Sequence, residues 1–536
     1  MVAHVRATSN RLAAGVALAG VCAVLVAAGG PAARAAGSAC VTTTRNVAAS
    51  TSGDPGSWPY PNADLANTRD SPDSTISKMN VSGLRQAWIF KLTGIAAAGV
   101  SGSGSLAANP IVQRGVVYIQ DLDSNVYAVS LRSGALEWEY VCNSPEKTGP
   151  GPTGVAVAGG KVYAETPTSA FALSAATGKA IWVNQHVLRR GQGTFGIQPQ
   201  VLGGRDYLAS QYGSGSGGGV LFALNARTGM VLWKFNTLRG AAPGVQSLGV
   251  GAGGAWETPL VASDGSVTYG IGNPYRTPAS AMAHPAPLLY TDSDVNLNAA
   301  TGKLRWYYQG VPNDFKDYDM QASPISATAG GTPVVVGGGK MGYVYEMNAK
   351  SGKLIWKTAV GEHNSHDNDS VKLLNHKLTL KVPYTISPGT LGGLLSNMAV
   401  AGNTVYLATI DFPETYTRLN YPIPTKASAS SAAGEIEALN LTTGKVEWDT
   451  RVGSLPLGAA TVSNDLIFTT LFNLAHKSST MLALNRQTGK IAYRQQLPTT
   501  TNSPIAIAGH TVLVPAGGIT GKQPSLDPEL IAYTVR

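Results

Sequence analysis

One short pattern returns along most of the chain, and it restricts the possible folds more than any other feature. In the clearest copy, residues 220–233, alternating apolar residues flank a turn at Gly229, and the second apolar stretch ends at Trp233. This is the pattern of a β-hairpin whose glycine supplies the positive φ that the turn requires. The aromatic residues that end the seven copies are Trp138, Trp182, Trp233, Trp306, Trp356, Trp448 and Tyr493.

The spacing of the copies favours one architecture. Minimum spacings of about 45 to 50 residues are typical of four-stranded propeller blades, and no stretch shows a sustained 3.6-residue period. Trp88 supplies an eighth aromatic without a first strand of its own. We therefore predict an all-β fold, an eight-bladed β-propeller of four-stranded antiparallel blades. The ring should close where the strand around Trp88 pairs with strands from residues 505–534.

Three regions follow from this prediction. Arg6 and Arg11 precede an apolar run, and residues 33–35 fit a small-x-small cleavage site, so residues 1–36 are predicted to be a secretory signal peptide. A retained membrane anchor is the alternative. Residues 37–75 form a lead-in segment, and residues 76–536 form a single propeller. The mature chain should lack a transmembrane segment and be secreted or extracytoplasmic.

The cysteines leave two alternatives open. Cys22 would leave with the signal peptide, so the mature chain carries Cys40 and Cys142 in an oxidising compartment. They form either one disulfide or two free thiols, because sequence does not give the distance between them.

Charge argues against a nucleic-acid partner. The formal net charge is +9, but only 13% of the residues are charged and no run of lysine and arginine occurs. A protein that binds phosphate backbones concentrates its basic residues, so we do not expect nucleic acid as a partner.

Several segments resemble one known family in the order that the family has them. They are residues 58–69, Gly253-Gly-Ala-Trp256, Gly272-Asn273-Pro274 and the loop Pro312 to Asp319. The chain resembles the pyrroloquinoline quinone (PQQ) alcohol dehydrogenases, which are eight-bladed propellers. The resemblance implies that a flat quinone lies near the ring axis. There a hard cation polarises its hydride-accepting carbonyl and a carboxylate removes the alcohol proton.

The resemblance assigns three roles to residues that are present. Trp256 would be the aromatic floor under the quinone, Asn273 a calcium ligand, and Lys340 the cation beside the quinone oxygens. The alternatives are that Trp256 is a buried strand aromatic and that Asn273 is a turn residue before Pro274.

Other positions depart from the family pattern. Counting back from the fourth repeat, the position of the family's catalytic aspartate falls on Pro287, which has no proton-accepting group. Gln211 stands where the family has a metal-binding glutamate, and an amide oxygen can ligate calcium without contributing charge. The family's adjacent cysteine pair, which covers the other face of the cofactor, is reduced to Cys142-Asn143. Ala107 replaces a glutamate before the first blade.

Three acidic groups are candidates for replacing the missing chemistry. Asp292 and Asp294 follow Pro287, but strand alternation predicts that both lie on an exposed side. Asp317 is a candidate substrate contact in a loop that the resemblance places near the substrate entrance, and a solvated or turn-capping role is its alternative. Residues 362–369 mix histidine and carboxylate, and we favour a polar loop over a metal site there.

Two functions remain open, and the sequence leaves enzyme status undecided. The first is an oxidoreductase that uses PQQ and calcium on an alcohol, polyol or sugar. It would need a separate electron acceptor, because no Cys-x-x-Cys-His haem motif occurs. The second is a non-catalytic propeller of the envelope-assembly type, which binds an envelope protein or a ligand.

Overall fold

The fold is that of a computed structural model. The residues it describes are 40–44, 56–71, 73–92, 106, 108–142, 154–189, 191–211, 218–238, 252–255, 257–421, 423–424, 426–427, 432–517 and 528–535. The predicted signal peptide lies outside these residues, and so do Ala107 and Trp256.

The described chain is almost entirely β-structure. The elements before the first blade are β1 (Val41–Thr44), β2 (Asp70–Ser71), a 3₁₀ turn (Val81–Gly83) and β3 (Arg85–Lys91). Blades 1 and 2 comprise β4 (Ile111–Gln113), β5 (Val116–Gln120), β6 (Val126–Ser130), β7 (Leu136–Val141), β8 (Ala156–Ala158), β9 (Lys161–Glu165), β10 (Ala170–Ser174) and β11 (Ala180–Asn184). Blades 3 and 4 comprise β12 (Thr194–Phe195), β13 (Gln200–Leu202), β14 (Arg205–Gln211), β15 (Val220–Asn225), β16 (Val231–Asn236), β17 (Leu260–Val261), β18 (Ser266–Gly270), α1 (Pro278–Ala283), β19 (Ser293–Asn298) and β20 (Leu304–Gln309).

The second half of the chain repeats the arrangement. Blade 5 comprises β21 (Ile325–Ala329), β22 (Thr332–Gly339), β23 (Tyr343–Asn348) and β24 (Leu354–Ala359). Blade 6 and the insertions around it comprise α2 (Asp369–Leu374), β25 (Tyr384–Ile386), β26 (Ala399–Ala401), β27 (Thr404–Asp411), β28 (Glu414–Tyr416), β29 (Lys426–Ala427), β30 (Ala433–Asn440) and β31 (Val446–Val452). Blades 7 and 8 comprise β32 (Thr461–Ser463), β33 (Leu466–Asn473), β34 (Ser478–Asn485), β35 (Ile491–Gln496), β36 (Ala506–Ala508), β37 (Thr511–Ala516) and β38 (Glu529–Thr534).

The eight blades confirm the predicted propeller. Each contains four antiparallel strands, which follow chain order in blades 1 to 7, and blades 1, 3 and 7 carry an additional strand. In blade 1, β1 pairs with the outer strand β7, and in blade 7, β2 runs parallel to the inner strand β32. The lead-in segment therefore contributes edge strands to two different blades.

The ring closes as the sequence predicts. Strand β3, which contains Trp88, pairs antiparallel with β38 from Arg85 opposite Thr534 to Lys91 opposite Glu529. The fourth strand of blade 8 therefore comes from the start of the chain and its other three from the end. This pairing joins the two ends of the fold and removes two open sheet edges.

The repeated aromatic residues join each blade to the next. Each indole N–H donates a hydrogen bond of 2.8–3.2 Å to a carbonyl in the following blade's turn. The glycine of that same turn has positive φ and lies against the indole, where a Cβ would come within 2.4–2.7 Å of the ring. The pairs are Trp88 with Gly134, Trp138 with Gly178, Trp182 with Gly229, Trp233 with Gly302, Trp306 with Gly352, Trp356 with Gly444, and Trp448 with Gly489. Tyr493 completes the circle through its hydroxyl and the Leu84 carbonyl, at 3.5 Å.

The lead-in segment ties together the inner strands where the chain closes. Arg69 is fully buried there and donates five hydrogen bonds. Its acceptors lie at the starts of the inner strands of blades 1, 7 and 8 and in the lead-in segment itself: Asn109, Ala460, Thr461, Ile505 and Asn62. Burial lowers the pKa of this guanidinium to about 9, and the charge of Glu257 partly offsets the effect.

The sequence did not predict one feature, a small cap beside blades 4 to 6. It consists of α1, α2 and the three-stranded sheet β25-β28-β29, and it packs on Phe315 through Tyr384 and Tyr416. The start of α1 had a recognisable signal, since the Thr277 side chain caps Ser280 N–H and proline occupies the first helical position. Among the described residues, no helix is long and apolar enough to cross a membrane.

We expect Trp306→Ala to lower the free energy of unfolding by about 3–5 kcal/mol, the usual cost of deleting a buried large aromatic. Only 6% of Trp306 is exposed, and its indole N–H is bonded to the Ala349 carbonyl. Guanidinium unfolding measures the change. Tyr421→Ala, at an aromatic residue that is 43% exposed, is the control and should leave the midpoint almost unchanged. Equal midpoints for both variants would contradict the docking role of these indoles.

Gly352→Ala tests the glycine half of the same contact. The new Cβ would meet the Trp306 ring at 2.6 Å on a backbone with φ of +68°. We expect a loss of about 2–4 kcal/mol, from left-handed strain together with overpacking. Gly331→Ala in the same blade is the matched control, because Gly331 has φ of +81° and open space around it. If the two variants lost the same stability in guanidinium unfolding, the steric contribution would be absent.

Candidate functional site

The candidate site lies where the second strands of blades 3, 4 and 5 end. These strands, β14, β18 and β22, run in the same direction through their blades, so their carboxyl ends reach the same face of the ring. Gln211 is the last residue of β14, Asn273 follows β18 by three residues, and Lys340 directly follows β22. Three residues named by sequence reasoning are therefore carried to one face of the ring.

Asn273 and Lys340 meet two carboxylates of the loop that follows blade 4. The Asn273 amide Nδ2 lies 2.5 Å from Asp317 Oδ1 and 2.7 Å from Asp319 Oδ1, and its backbone N–H donates to Asp319 Oδ1 at 2.8 Å. Lys340 Nζ lies 3.0 Å from Asp317 Oδ2 and 2.5 Å from Asp319 Oδ2. All four side chains are buried. We call this group the axial cluster.

The loop holds its acidic residues inward by local hydrogen bonds. Asp314 accepts the backbone N–H groups of Lys316 and Tyr318 at 3.0 Å each, which is the way an aspartate stabilises a tight turn. Asp317 has φ of +62°, and Asn313, at φ of +60°, accepts a 2.7 Å hydrogen bond from Arg276. Asp317 is thus a buried member of the axial cluster and not a solvated loop residue.

Burial dominates the electrostatics of this loop. It raises the pKa of Asp317 well above the usual value, and the neighbouring Asp319 adds to the increase, although the Lys340 ammonium opposes it. Burial also raises the pKa of Asp314 and lowers the pKa of Lys316 to about 8. An aspartate with a raised pKa next to an ammonium group can both take up and release a proton, which is what a general base needs.

One short loop connects the strand end that carries Gln211 with the axial cluster. Its Nε2 donates to the Gly196 carbonyl at 2.7 Å, whereas its Oε1 is buried without a hydrogen-bond partner. In the loop 252–255, Gly253 N–H donates to the Asn273 carbonyl and Ala255 N–H to that of Ser210. The segment that leads into Trp256 therefore bridges the strand ends that carry Gln211 and Asn273.

Cys142 is bonded to Cys40, with their Cα atoms 4.2 Å apart, so the disulfide alternative is the one that the structure contains. The bond attaches β1 to the end of β7 at the outer edge of blade 1. The Cys142 sulfur therefore takes part in a disulfide with Cys40.

The burial of the acidic residues that follow Pro287 differs from the sequence prediction. Pro287 is exposed and contributes only its carbonyl, which accepts a 2.5 Å hydrogen bond from Gln309. The prediction that Asp292 and Asp294 are exposed was wrong, because both are completely buried. Asp294 lies in β19, a middle strand of blade 4, and such a strand is covered by neighbouring blades on both faces. Asp292 lies just before β19, where strand alternation does not apply.

The two buried aspartates have different surroundings. Asp294 packs against the next blade, where a Cβ on Gly337 would collide with its Oδ2, and burial raises its pKa to about 8. Burial raises the pKa of Asp292 well above its usual value, and the charges of Asp314, Asp319 and Asp317 add to the increase.

The histidine-rich segment after blade 5 is a network of paired side chains. His363 Nδ1 lies 2.9 Å from Asp367, and its Nε2 lies 2.9 Å from the Gly342 carbonyl and 3.2 Å from that of Val360. His366 Nδ1 lies 2.7 Å from Asp369. Within the part of the chain that the structure describes, no group of three or more His, Cys, Asp or Glu is arranged to hold a metal ion.

An eight-bladed propeller that gathers an amide, a lysine and paired aspartates at one face of its ring belongs to the class of quinoprotein alcohol dehydrogenase-like propellers. A family described as "PQQ: Glucose/ethanol/alcohol dehydrogenase, beta-propeller domain" matches residues 58–157 and 195–367, just over half of the chain. The chain therefore belongs to the PQQ-dependent alcohol dehydrogenase-like β-propeller family, as the sequence resemblance predicted. A second family, "Outer membrane protein assembly factor BamB", matches residues 432–527.

Individual relatives agree with this assignment. The chain is 26% identical over 319 residues to the quinoprotein alcohol dehydrogenase PedH of Pseudomonas putida, covering 54% of this chain and 52% of that protein. The chain thus spans about half the length of that relative. The fold is similar to quinohemoprotein alcohol dehydrogenase from Comamonas testosteroni, with a TM-score of 0.73, 21% identity, and 90% and 81% of the two chains covered. It is also similar to a europium-containing methanol dehydrogenase, with a TM-score of 0.72, 20% identity, and 90% and 98% covered.

His363 gives the site region a testable pH dependence. Burial alone would lower the pKa of His363, but the bonds to Asp367 and to two carbonyls outweigh it and raise the pKa above its usual value. A raised pKa in the folded state means that the stabilisation is complete below the unfolded pKa of about 6.5 and is lost as pH rises through the folded pKa. We therefore expect His363→Gln to destabilise the protein by about 1–2 kcal/mol at pH 6 and by less at pH 9.

Guanidinium unfolding at the two pH values measures this difference. His510→Gln, at an exposed turn, is the control and should show the same small effect at both pH values. A His363→Gln penalty that is equal at pH 6 and pH 9, or larger at pH 9, would show that the imidazolium is not the stabilising form.

Proposed function

We propose that the protein is a PQQ-dependent oxidoreductase that acts on an alcohol, a polyol or a sugar. The observation that carries the proposal is the axial cluster, in which Asn273, Asp317, Asp319 and Lys340 are buried together at the ends of neighbouring strands. All four residues lie in the segment 195–367 that the family of glucose, ethanol and alcohol dehydrogenases matches. The names of the relatives support alcohols as the substrate class.

Asp317 is the proposed proton acceptor for the substrate hydroxyl. Its carboxylate contacts both Asn273 Nδ2 and Lys340 Nζ, as the carboxylate of Asp319 does, so its position is fixed from two sides. Its raised pKa suits a group that takes a proton from an alcohol, and the neighbouring ammonium favours the ionised form that is needed at the start. Asp317 would therefore act as the general base in place of the family's catalytic aspartate, whose position is occupied here by Pro287.

The donor set around the cluster fits a hard cation. The oxygens of Gln211, Asn273, Asp317 and Asp319 are of the kind that Ca²⁺ or a trivalent lanthanide binds, and Gln211 Oε1 is a buried acceptor with no partner. The residue types suit a cation, but their side chains do not form a complete coordination shell. The two carboxylates instead contact Lys340 and Asn273. When bound, PQQ would supply the carbonyl that accepts hydride. Lys340 would contact its oxygens, and Trp256, outside the described residues, would be its aromatic floor.

The setting of the protein is part of the proposal. A disulfide between Cys40 and Cys142 supports an extracytoplasmic location, because such bonds persist in oxidising compartments. The proposed oxidation would need an electron acceptor, and the printed sequence contains no Cys-x-x-Cys-His haem-attachment motif.

A second candidate is a non-catalytic propeller that binds an envelope protein. The match of residues 432–527 to the outer-membrane assembly factor family supports it. That segment covers blade 7 and parts of blades 6 and 8, and it lies apart in sequence from the axial cluster. The two candidates differ in whether PQQ turnover occurs.

The proposed enzyme is tested by adding PQQ with Ca²⁺ or La³⁺ to chelator-treated protein and following dye-linked oxidation of an alcohol panel. We expect Asp317→Asn to lower kcat by about 10²- to 10⁴-fold, the usual contribution of a general base. PQQ binding, followed by quenching of tryptophan fluorescence, should persist in that variant. Absence of turnover in the parent protein with every alcohol and both cations would favour the non-catalytic candidate.

Asp264→Asn is the matched control for this experiment. Asp264 lies in the turn between β17 and β18, at the opposite end of β18 from Asn273. Its replacement removes one aspartate without touching the axial cluster, so kcat should stay at the parent value. Equal losses from Asp264→Asn and Asp317→Asn would show that the loss reflects general damage to the fold.

A further inference from the structure

The cap lies on the same face of the ring as the axial cluster. Its parts are inserted between β18 and β19, between β24 and β26, and between β27 and β30. Each of these connections starts where a second or a fourth strand of a blade ends, which is the face that carries Asn273 and Lys340. The outer side of the cap is therefore a surface beside the candidate site, and the proposed chemistry does not use it.

The exposed charges of the cap, residues 277–283, 369–386 and 414–427, are all positive. Its two acidic residues are buried. Asp369 accepts hydrogen bonds from Lys372 and Tyr384, and Glu414 accepts those of the backbone N–H and the hydroxyl of Thr390. Four exposed basic residues have no acidic partner in the described part of the chain. We call them the cap cations: Lys377, Lys381, Arg418 and Lys426.

The sheet of the cap has one buried face and one outer face. Tyr384 and Tyr416 are paired and buried against the core. On the other face, Thr415 lies opposite Thr385 on one side and opposite Lys426 on the other. Thr385 and Lys426 are exposed, so this ammonium group projects from the outer face of the sheet.

Three apolar side chains are exposed among the cap cations. Val371, on α2, is 40% exposed, Val382 is 42% exposed and Tyr421 is 43% exposed. Val382 and Arg418 each lie two residues beyond the terminal pair of the cap sheet, at the same end of that sheet. Single exposed apolar residues are common on proteins, but here they share one surface with cations that have no counter-charge.

The opposite face of the ring is also basic, but there the charges are mixed. Arg305 pairs with Asp264 at 2.9 Å, and Lys78 pairs with Asp465 at 3.6 Å. Both aspartates lie in turns between the first and second strands of their blades, at the end away from the axial cluster. Exposed cations without acidic neighbours therefore distinguish the cap from the opposite face.

The composition of this surface indicates what binds there. Protein interfaces are depleted of lysine, whereas anionic lipid surfaces attract clusters of lysine and arginine. Aliphatic and tyrosine side chains next to such clusters enter the headgroup region of a bilayer. Three of the four cap cations are lysines, and Val371, Val382 and Tyr421 are the accompanying apolar groups. This combination favours a lipid surface over an acidic protein.

We propose that the outer side of the cap is a docking surface for an anionic membrane. The cap cations bind lipid phosphates, and Val371, Val382 and Tyr421 enter the headgroup region. Docking in this way turns the face of the ring that carries the axial cluster toward the membrane. The proposal does not depend on PQQ binding or on catalysis.

Co-sedimentation with lipid vesicles tests the proposal on the protein without added cofactor. Vesicles of phosphatidylcholine alone are compared with vesicles of equal parts phosphatidylcholine and phosphatidylglycerol. We expect binding only to the second kind, and weaker binding as salt is added. The triple variant Lys377→Gln, Lys381→Gln and Arg418→Gln should bind about 10²-fold more weakly, because each basic residue near an anionic surface contributes about fivefold.

A second triple variant, Lys303→Gln, Lys353→Gln and Lys445→Gln, is the matched control. These exposed lysines each follow a turn glycine on the opposite face of the ring, and the variant loses the same total charge. We expect it to bind anionic vesicles as the parent does. Val382→Ser combined with Tyr421→Ser should weaken binding at every salt concentration, because it removes apolar contacts. Circular dichroism checks that each variant is folded.

Equal affinity of the parent for both kinds of vesicle, or equal losses in the two triple variants, would overturn the proposal. Binding to poly-glutamate without binding to anionic vesicles would also overturn it and would indicate an acidic protein as the partner. Binding that requires phosphatidylglycerol and is lost only in the cap variants supports it. None of these results depends on turnover, so the proposed function stands or falls separately.

Discussion

The contact between an aromatic side chain of one blade and the turn of the next is the interaction on which the structure depends. A single four-stranded blade buries little apolar surface by itself, so each must be held against its neighbours at a fixed angle. The indole holds two blades together in two ways: it donates a hydrogen bond to a carbonyl in the turn of the next blade, and it packs on the glycine of that turn. Repeated around the chain and completed by Tyr493 at Leu84, it gives a closed circle with one axis.

That circle explains how residues far apart in sequence form one site. The second strand of each blade ends at the same face of the ring. Gln211, Asn273 and Lys340 therefore lie at one face, although more than a hundred residues separate the first from the last. The blades are rigid because their strands are covered on both faces, and this rigidity allows buried charges to be held in place. Asp317 and Lys340 could not keep their 3.0 Å contact on mobile supports without losing the energy that offsets their burial.

The repeat made the fold predictable, whereas only part of the site could be predicted. A local pattern of strands, turn glycine and aromatic needs no knowledge of distant contacts, so the eight blades and the closure at Trp88 followed from the sequence. Asn273 and Lys340 were recognised by family motifs. The burial of Asp294 was missed because alternation cannot distinguish a strand with one solvated face from one covered on both. The burial of Asp292 was missed because this residue lies just before the strand, where alternation does not apply. The cap was missed because its two short helices are insertions outside the repeat.

The axial cluster contains more acidic groups than basic groups. Asp317 and Asp319 bring two carboxyl groups into one buried region, and Lys340 is the ammonium group in contact with both. In a low-dielectric interior such an excess of acidic groups is relieved only by protons or by a bound cation. Both forms of relief would suit the proposed oxidation of an alcohol, because the proton of the substrate would need an acceptor and the developing charge on oxygen would need a cation.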